Sequence, residues 1–130
     1  MQAGCRRAVG GAGYAPGMAF FVLTMVNGPR YDPARARREQ DGWDEHAAFM
    51  DELTAAGFVV LGGPVGDGEQ VMVVVEAADE AAARARYAGD PWGPMGILEI
   101  GEIRPWTIWL DGRGVTTQRA AGGPGAEGPA

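Results

Sequence analysis

The chain contains one histidine, His46, within the stretch GWDEHAAFMDEL. Side chains three and four positions apart on a helix share a face, so His46 falls on the same side as Phe49, Met50 and Leu53. An imidazole works as acid or base near neutral pH with little tuning. A core histidine satisfied by a single hydrogen bond has the same signature, and the stretch alone leaves both readings open. The second candidate lies in AGDPWGPMG, residues 88–96, where Asp90 precedes Pro91. Asp-Pro starts turns well, so Asp90 is either a turn aspartate or a partner for the imidazole. A carboxylate here would orient and charge-stabilise His46, the division of labour of a His–Asp pair.

Trp43, Trp92, Trp106 and Trp109 all fall near the ends of segments. Aromatic residues at such places line ligand pockets or fill small cores, and the two readings weigh equally. Arg35, Arg37 and Arg38 form a basic group in RYDPARARREQ. It reads first as a solvated loop face and second as a partner for an anionic or enolate substrate. The stretch GGPVGDGE is glycine-rich but opens no helix, so it is a turn and not a phosphate loop. Lysine is absent, which excludes Schiff-base chemistry. The single cysteine, Cys5, cannot form an internal disulfide. With one histidine and no core cysteine, a zinc site within one chain is not expected.

The elements that must position these residues are legible from periodicity. MAFFVLTMV, residues 18–26, is an apolar run closed by Asn-Gly-Pro, a buried strand. A helical turn is expected from Pro33. The first helix spans DGWDEHAAFMDELTAAG, with Asp41 as its cap, Asp44 three residues on, and Gly57 as terminator. Its apolar stripe is Phe49, Met50, Leu53 and Ala56. FVVLGGPV and QVMVVVEA flank the turn GDGE and predict a hairpin. DEAAARARYAG is a second helix, capped by Asp79 and ended by Gly89. In ILEIGEIRPWTIWL the apolar phase slips between Ile100 and Ile103, which a bulge near Gly101 repairs. Pro105 lacks a ladder donor, so this part of the strand is expected at a sheet edge or beyond the main sheet.

The order βαββαβ predicts an α+β, ferredoxin-like protomer with both helices on one face of an antiparallel sheet. The other face is left apolar, and a second copy is its expected cover, giving a homodimer joined through the sheet faces. The folded domain is expected over residues 18–110. Residues 1–17 and 111–130 are rich in Gly, Ala and Pro without a period and are expected to be disordered. Met18 stands where a natural start would, so residues 1–17 are expected to be dispensable and not always translated. The domain carries seven arginines against seven aspartates and eight glutamates, a formal charge of −8. That excludes nucleic acid and anionic membrane as partners. With no signal peptide and no apolar run of spanning length, a soluble, cytoplasmic protein is expected.

The stretches GWDEHAAFMDELTAAGFVVLGGPV, AGDPW and IRPWTIWL, in this order and spacing, resemble the YCII-related (YciI-like) family of dimeric α/β-barrel proteins. The resemblance implies an active-site pair of His46 and Asp90. REQDGWDEH looks like a subgroup feature and adds Arg38, Gln40 and Trp43 to the pocket, with Trp92 and Trp106 as further lining. It implies a cofactor-independent enzyme without metal, related to members that carry out dehydrochlorination, elimination or isomerisation of small hydroxylated rings. The rival expectations are a non-catalytic ligand-binding or regulatory dimer and, more weakly, a dimeric α/β-barrel monooxygenase, with His46 the sole imidazole available to a haem.

Overall fold

The computed structural model describes residues 17–117. In chain order it contains β1 (Ala19–Asn27), a 3-10 turn (Arg37–Glu39), α1 (Trp43–Ala55), β2 (Val59–Val65) and β3 (Gln70–Ala77). There follow α2 (Glu80–Tyr87), β4 (Leu98–Pro105) and a second 3-10 turn (Val115–Thr117). The strands form one antiparallel sheet in the order β2-β3-β1-β4. This is the expected α+β, ferredoxin-like arrangement. β4 is an edge strand and Pro105 stays within it, opposite Phe21, the first of the two places expected for it. Among the described residues no helix is long and apolar enough to cross a membrane.

Strand alternation sends Phe21, Leu23 and Met25 of β1 to the same side as Val73, Val75 and Ala77 of β3. There they pack with Leu53, Ala83, Tyr87, Trp92 and Ile97 into one core. α1 packs beside β2, and α2 over β3 and β4. The register of β4 against β1 shifts between Thr24 and Met25, so Glu102 opposes Thr24 while Ile100 opposes Met25. Gly101 is the extra residue, and the bulge returns Leu98, Ile100 and Ile103 to one face as expected. β2 carries a second shift, between Val59 and Leu61. The run Phe58–Leu61 is apolar throughout, so no break in phase announces it.

The start of α1 differs from expectation. Its N-cap is Gly42, in the left-handed region at φ 76°, with no side-chain cap. Asp41 is therefore not the cap. Its carboxylate meets Arg35 Nη2 at 3.2 Å, and its carbonyl accepts from Trp92 Nε1 at 2.7 Å. A side chain at position 42 would press on Met95 and the Trp92 indole, so glycine admits both the turn and the contact. α1 ends as expected at Gly57, φ 85°, but Ala56 is exposed rather than part of the apolar stripe. Asp79 caps α2 by accepting from the Ala82 N–H at 2.8 Å.

The expected disorder of residues 1–17 and 111–130 falls mostly outside the described residues. Within the described stretch, residues 111–117 form a turn. The Asp111 carboxylate accepts from the Thr116 hydroxyl and from the backbone N–H groups of Thr116 (2.8 Å) and Val115 (2.9 Å). These bonds, those from Thr116 foremost, hold the Asp111 carboxyl below the usual carboxylate range.

Candidate functional site

His46 sits one turn into α1 and is 7 % exposed. Its Nδ1 lies 2.9 Å from Asp90 Oδ1 and 3.0 Å from Oδ2. A carboxylate only accepts, so in the neutral ring Nδ1 carries the proton and Nε2 keeps the lone pair. Asp90 is itself fixed: Oδ1 also accepts from the Trp92 N–H at 3.0 Å, closing an Asx turn across Pro91. The Asp-Pro-Trp tripeptide thus sets a carboxylate at one edge of the imidazole and an indole beneath its face.

The Trp92 ring stacks on His46 with centroids 3.9 Å apart and planes 9° from parallel. Trp92 is fully buried, so it supports the histidine from inside the core rather than lining the pocket as expected. Trp43 is half-buried and tilted against both rings, 5.6 Å from each.

His46 also lines a cavity of about 740 Å³. Its lining includes buried or half-buried Trp43, His46, Met50, Val59, Val73, Tyr87 and Leu98, and, at the rim toward solvent, half-buried Tyr31, Arg37 and Gly68 with exposed Arg38 and Asp67. A volume of this order suits a small organic ligand. Burial first, then the Asp90 charge, pushes the Tyr87 hydroxyl well above the usual phenol range, so that group stays a neutral donor. Arg38 is exposed and lies over the Trp43 ring, 5.5 Å from its centroid. Among the described residues, no three His, Cys, Asp or Glu side chains gather as a metal site.

Of the seven residues expected at the site, five meet around the cavity or the imidazole: His46, Asp90, Trp43, Trp92 and Arg38. Gln40 does not line the cavity. It is 4 % exposed, its amide donating to the carbonyls of Asp32 (2.8 Å) and Arg35 (3.0 Å) while Oε1 accepts from the Asp32 N–H (2.9 Å). It is the brace of the loop that carries Arg37 and Arg38. Trp106 is also absent from the cavity. It is 45 % exposed and its N–H donates to the Phe20 carbonyl at 2.9 Å. That is the opposite end of β1 from Asn27, which pairs with cavity-lining Leu98. Strand rise puts about 20 Å between the two ends.

Sequence reasoning missed Tyr31 and Tyr87, and it named Arg37 only as one of three arginines of which one could meet an anionic or enolate substrate. Arg37 was within the basic group, but nothing in RARR separates the inward arginine from its neighbours. Tyr87 had a signal, since it closes α2 three residues before Asp90 and on the apolar side of that helix.

Searches for curated relatives and for similar solved structures return no match to the chain. The profile of the YCII-related domain matches residues 20–107, a span that begins in β1, ends just past β4 and takes in both His46 and Asp90. The chain belongs to the YCII-related domain family.

Proposed function

We propose that this protein is a cytoplasmic, cofactor-independent acid–base enzyme. Its substrate class is small hydroxylated or enolisable organic molecules, and its chemistry is elimination or isomerisation, in the manner of a dehydrochlorinase-like lyase. The observation that carries this reading is the two-sided histidine: Nδ1–H is held by both Asp90 oxygens, and the ring lines a cavity of ligand size. In this arrangement Nε2 takes a proton from an acidic C–H or O–H of the ligand. The imidazolium that forms is stabilised by the Asp90 carboxylate at its edge and the Trp92 face below it. In an isomerisation the same proton returns to another carbon. In an elimination the electron pair freed by deprotonation expels the leaving group, and the proton passes to water. The neutral Tyr87 hydroxyl is available as a donor to oxygen on which charge develops. Burial of the His46–Asp90 edge strengthens each of these interactions.

The test is turnover of a panel of hydroxylated and chlorinated ring compounds by wild type, His46→Asn and Asp90→Asn. His46→Asn is expected to abolish turnover. Asp90→Asn removes the carboxylate that holds the tautomer and is expected to cost about 10²–10⁴-fold in kcat. Nitrogen-15 shifts of the single imidazole report where its proton resides. They should show Nδ1–H in the neutral wild type and a mixed population in Asp90→Asn. Turnover surviving in His46→Asn would defeat the catalytic assignment, and binding without turnover across the panel would favour a non-catalytic ligand-binding dimer.

A further inference from the structure

The cavity rim carries a charge that the acid–base reading does not use. Arg37 is half-buried and held in place: Nη1 donates to Asn27 Oδ1 at 3.0 Å and Nη2 to the Gly68 carbonyl, while the guanidinium lies 5.2 Å from the Tyr31 ring centroid. Both acceptors are neutral, so the guanidinium is positioned without being neutralised. A guanidinium has five N–H donors, and these two bonds leave others for a ligand. Arg38 stands beside it at the rim, over Trp43. The neighbouring Arg35, by contrast, is committed to Asp41. Among the described residues, the one carboxylate that lines the cavity is Asp67, whose Oδ1 accepts from the Glu69 N–H inside the β2–β3 turn. The cavity of a chain with net charge −6 is therefore lined by two arginines against one aspartate. Below the rim the wall is apolar, with Met50, Val59, Val73 and Leu98.

We propose that the ligand of this cavity is a small organic carboxylate, its carboxylate held at Arg37 and Arg38 and its apolar body directed toward His46. This rests on the reading of the cavity as the reaction site and names its substrate class. A carboxylate fits better than a phosphate. The guanidinium fork pairs with either anion, but the apolar residues Met50, Val59, Val73 and Leu98 in the same lining suit the organic body of a carboxylate and offer nothing to the further charge and oxygens of a phosphate. A fixed cation at the rim also sets the ligand's orientation, so that the end facing Nε2 is the carbon skeleton.

Benzoate and 4-hydroxybenzoate serve as probes, with benzamide and inorganic phosphate beside them. Binding is followed by tryptophan fluorescence and by the proton NMR signals of the single histidine. The acids are expected to bind at least about tenfold more tightly than the amide. Arg37→Gln is expected to remove most of that preference. Arg38→Gln, on an exposed side chain whose loss leaves the fold intact, is expected to reduce it. Arg37→Lys keeps the charge without the fork and should fall between. His46→Asn should keep the acid preference, so failure of the catalytic reading and failure of the carboxylate site are read separately. The proposal is overturned if amide and acid bind alike, if no acid perturbs either signal at millimolar concentration, if the preference survives in Arg37→Gln and Arg38→Gln together, or if phosphate displaces benzoate.

Discussion

One imidazole is held on three sides by chemically different neighbours. Asp90 fixes the proton at the edge, Trp92 supports the face, and the cavity takes what remains. Two of these neighbours sit within three residues of each other, which is why DPW carried information beyond a turn. What the sequence left open was depth. Trp92 and Trp43 are the same residue type near comparable segment ends, yet only Trp92 is sealed in the core, because the Asx turn folds it under the helix. Tyr87 belongs to the same neighbourhood and lends itself to a pH test. Burial, and after it the Asp90 charge, raise its hydroxyl well above the usual phenol range, so the folded state holds that proton more tightly than the unfolded chain does. The contribution is therefore fully present below pH 10 and is lost as pH rises beyond it. Thermal melts between pH 8 and 11 should show a steep alkaline decline in wild type and a shallower one in Tyr87→Phe. Parallel declines would mean that Tyr87 does not face the environment described for it.

The elements were legible wherever a period broke visibly. Gly101 interrupts the alternation of β4, and the bulge stands there; Val60 interrupts nothing detectable, since its neighbours are all apolar, and the β2 bulge went unread. Asp41 looked like a cap by type and spacing, but a left-handed Gly42 starts the helix and releases Asp41 to Arg35 and Trp92. Local propensity names the residue suited to a cap, while the tertiary contact decides whether it is used. The join between β1 and the loop before β4 has the same character. The Gly28 N–H donates to the Ile97 carbonyl at 2.9 Å and the Arg30 N–H to the Gly96 carbonyl at 2.8 Å. A Cβ on Gly28 would collide with the Gly96 carbonyl, backbone that cannot step aside. The same loop begins at Trp92, whose carbonyl accepts from the Ile97 N–H at 3.0 Å. Gly28→Ala is thus expected to cost about 1–3 kcal/mol and to shift tryptophan emission by disturbing the indole under His46. Gly112→Ala, where a Cβ meets nothing within 4 Å, should stay within about 0.5 kcal/mol of wild type. Equal urea midpoints for the two variants would show that the β1–loop staple yields.

At the scale of the molecule, the sheet has one face under the helices and one turned away. Register places Leu61, Val65 and Met72 on the outer face, 50 %, 44 % and 39 % exposed. Along β4 the same face is charged, with Glu99, Glu102 and Arg104 opposite Val26, Thr24 and Val22. The uniformly apolar surface expected from the strands is therefore an apolar half over β2 and β3 with a charged border. Glu76, opposite Phe20 on this face, has a buried Oε2 with no hydrogen-bond partner among the described residues, and a buried oxygen of this kind calls for a donor from elsewhere. Both edge strands carry proline, Pro64 in β2 and Pro105 in β4, which blunts growth of the sheet by edge pairing. Association through the face is the route left open, and the sequence-derived homodimer keeps its physical motive. A stable pair should bury on the order of 1,200 Å² or more in total. Sedimentation velocity at micromolar concentration is expected to give a dimer for wild type. Met72→Glu combined with Val65→Glu puts two carboxylates on the apolar half and should give a folded monomer with a lower melting temperature. His46 lies on the helix side of the sheet, so ligand binding in that monomer, measured with the carboxylate probes, should persist. A compact wild-type monomer at that concentration, or a dimer untouched by the double substitution, would remove the face as the interface.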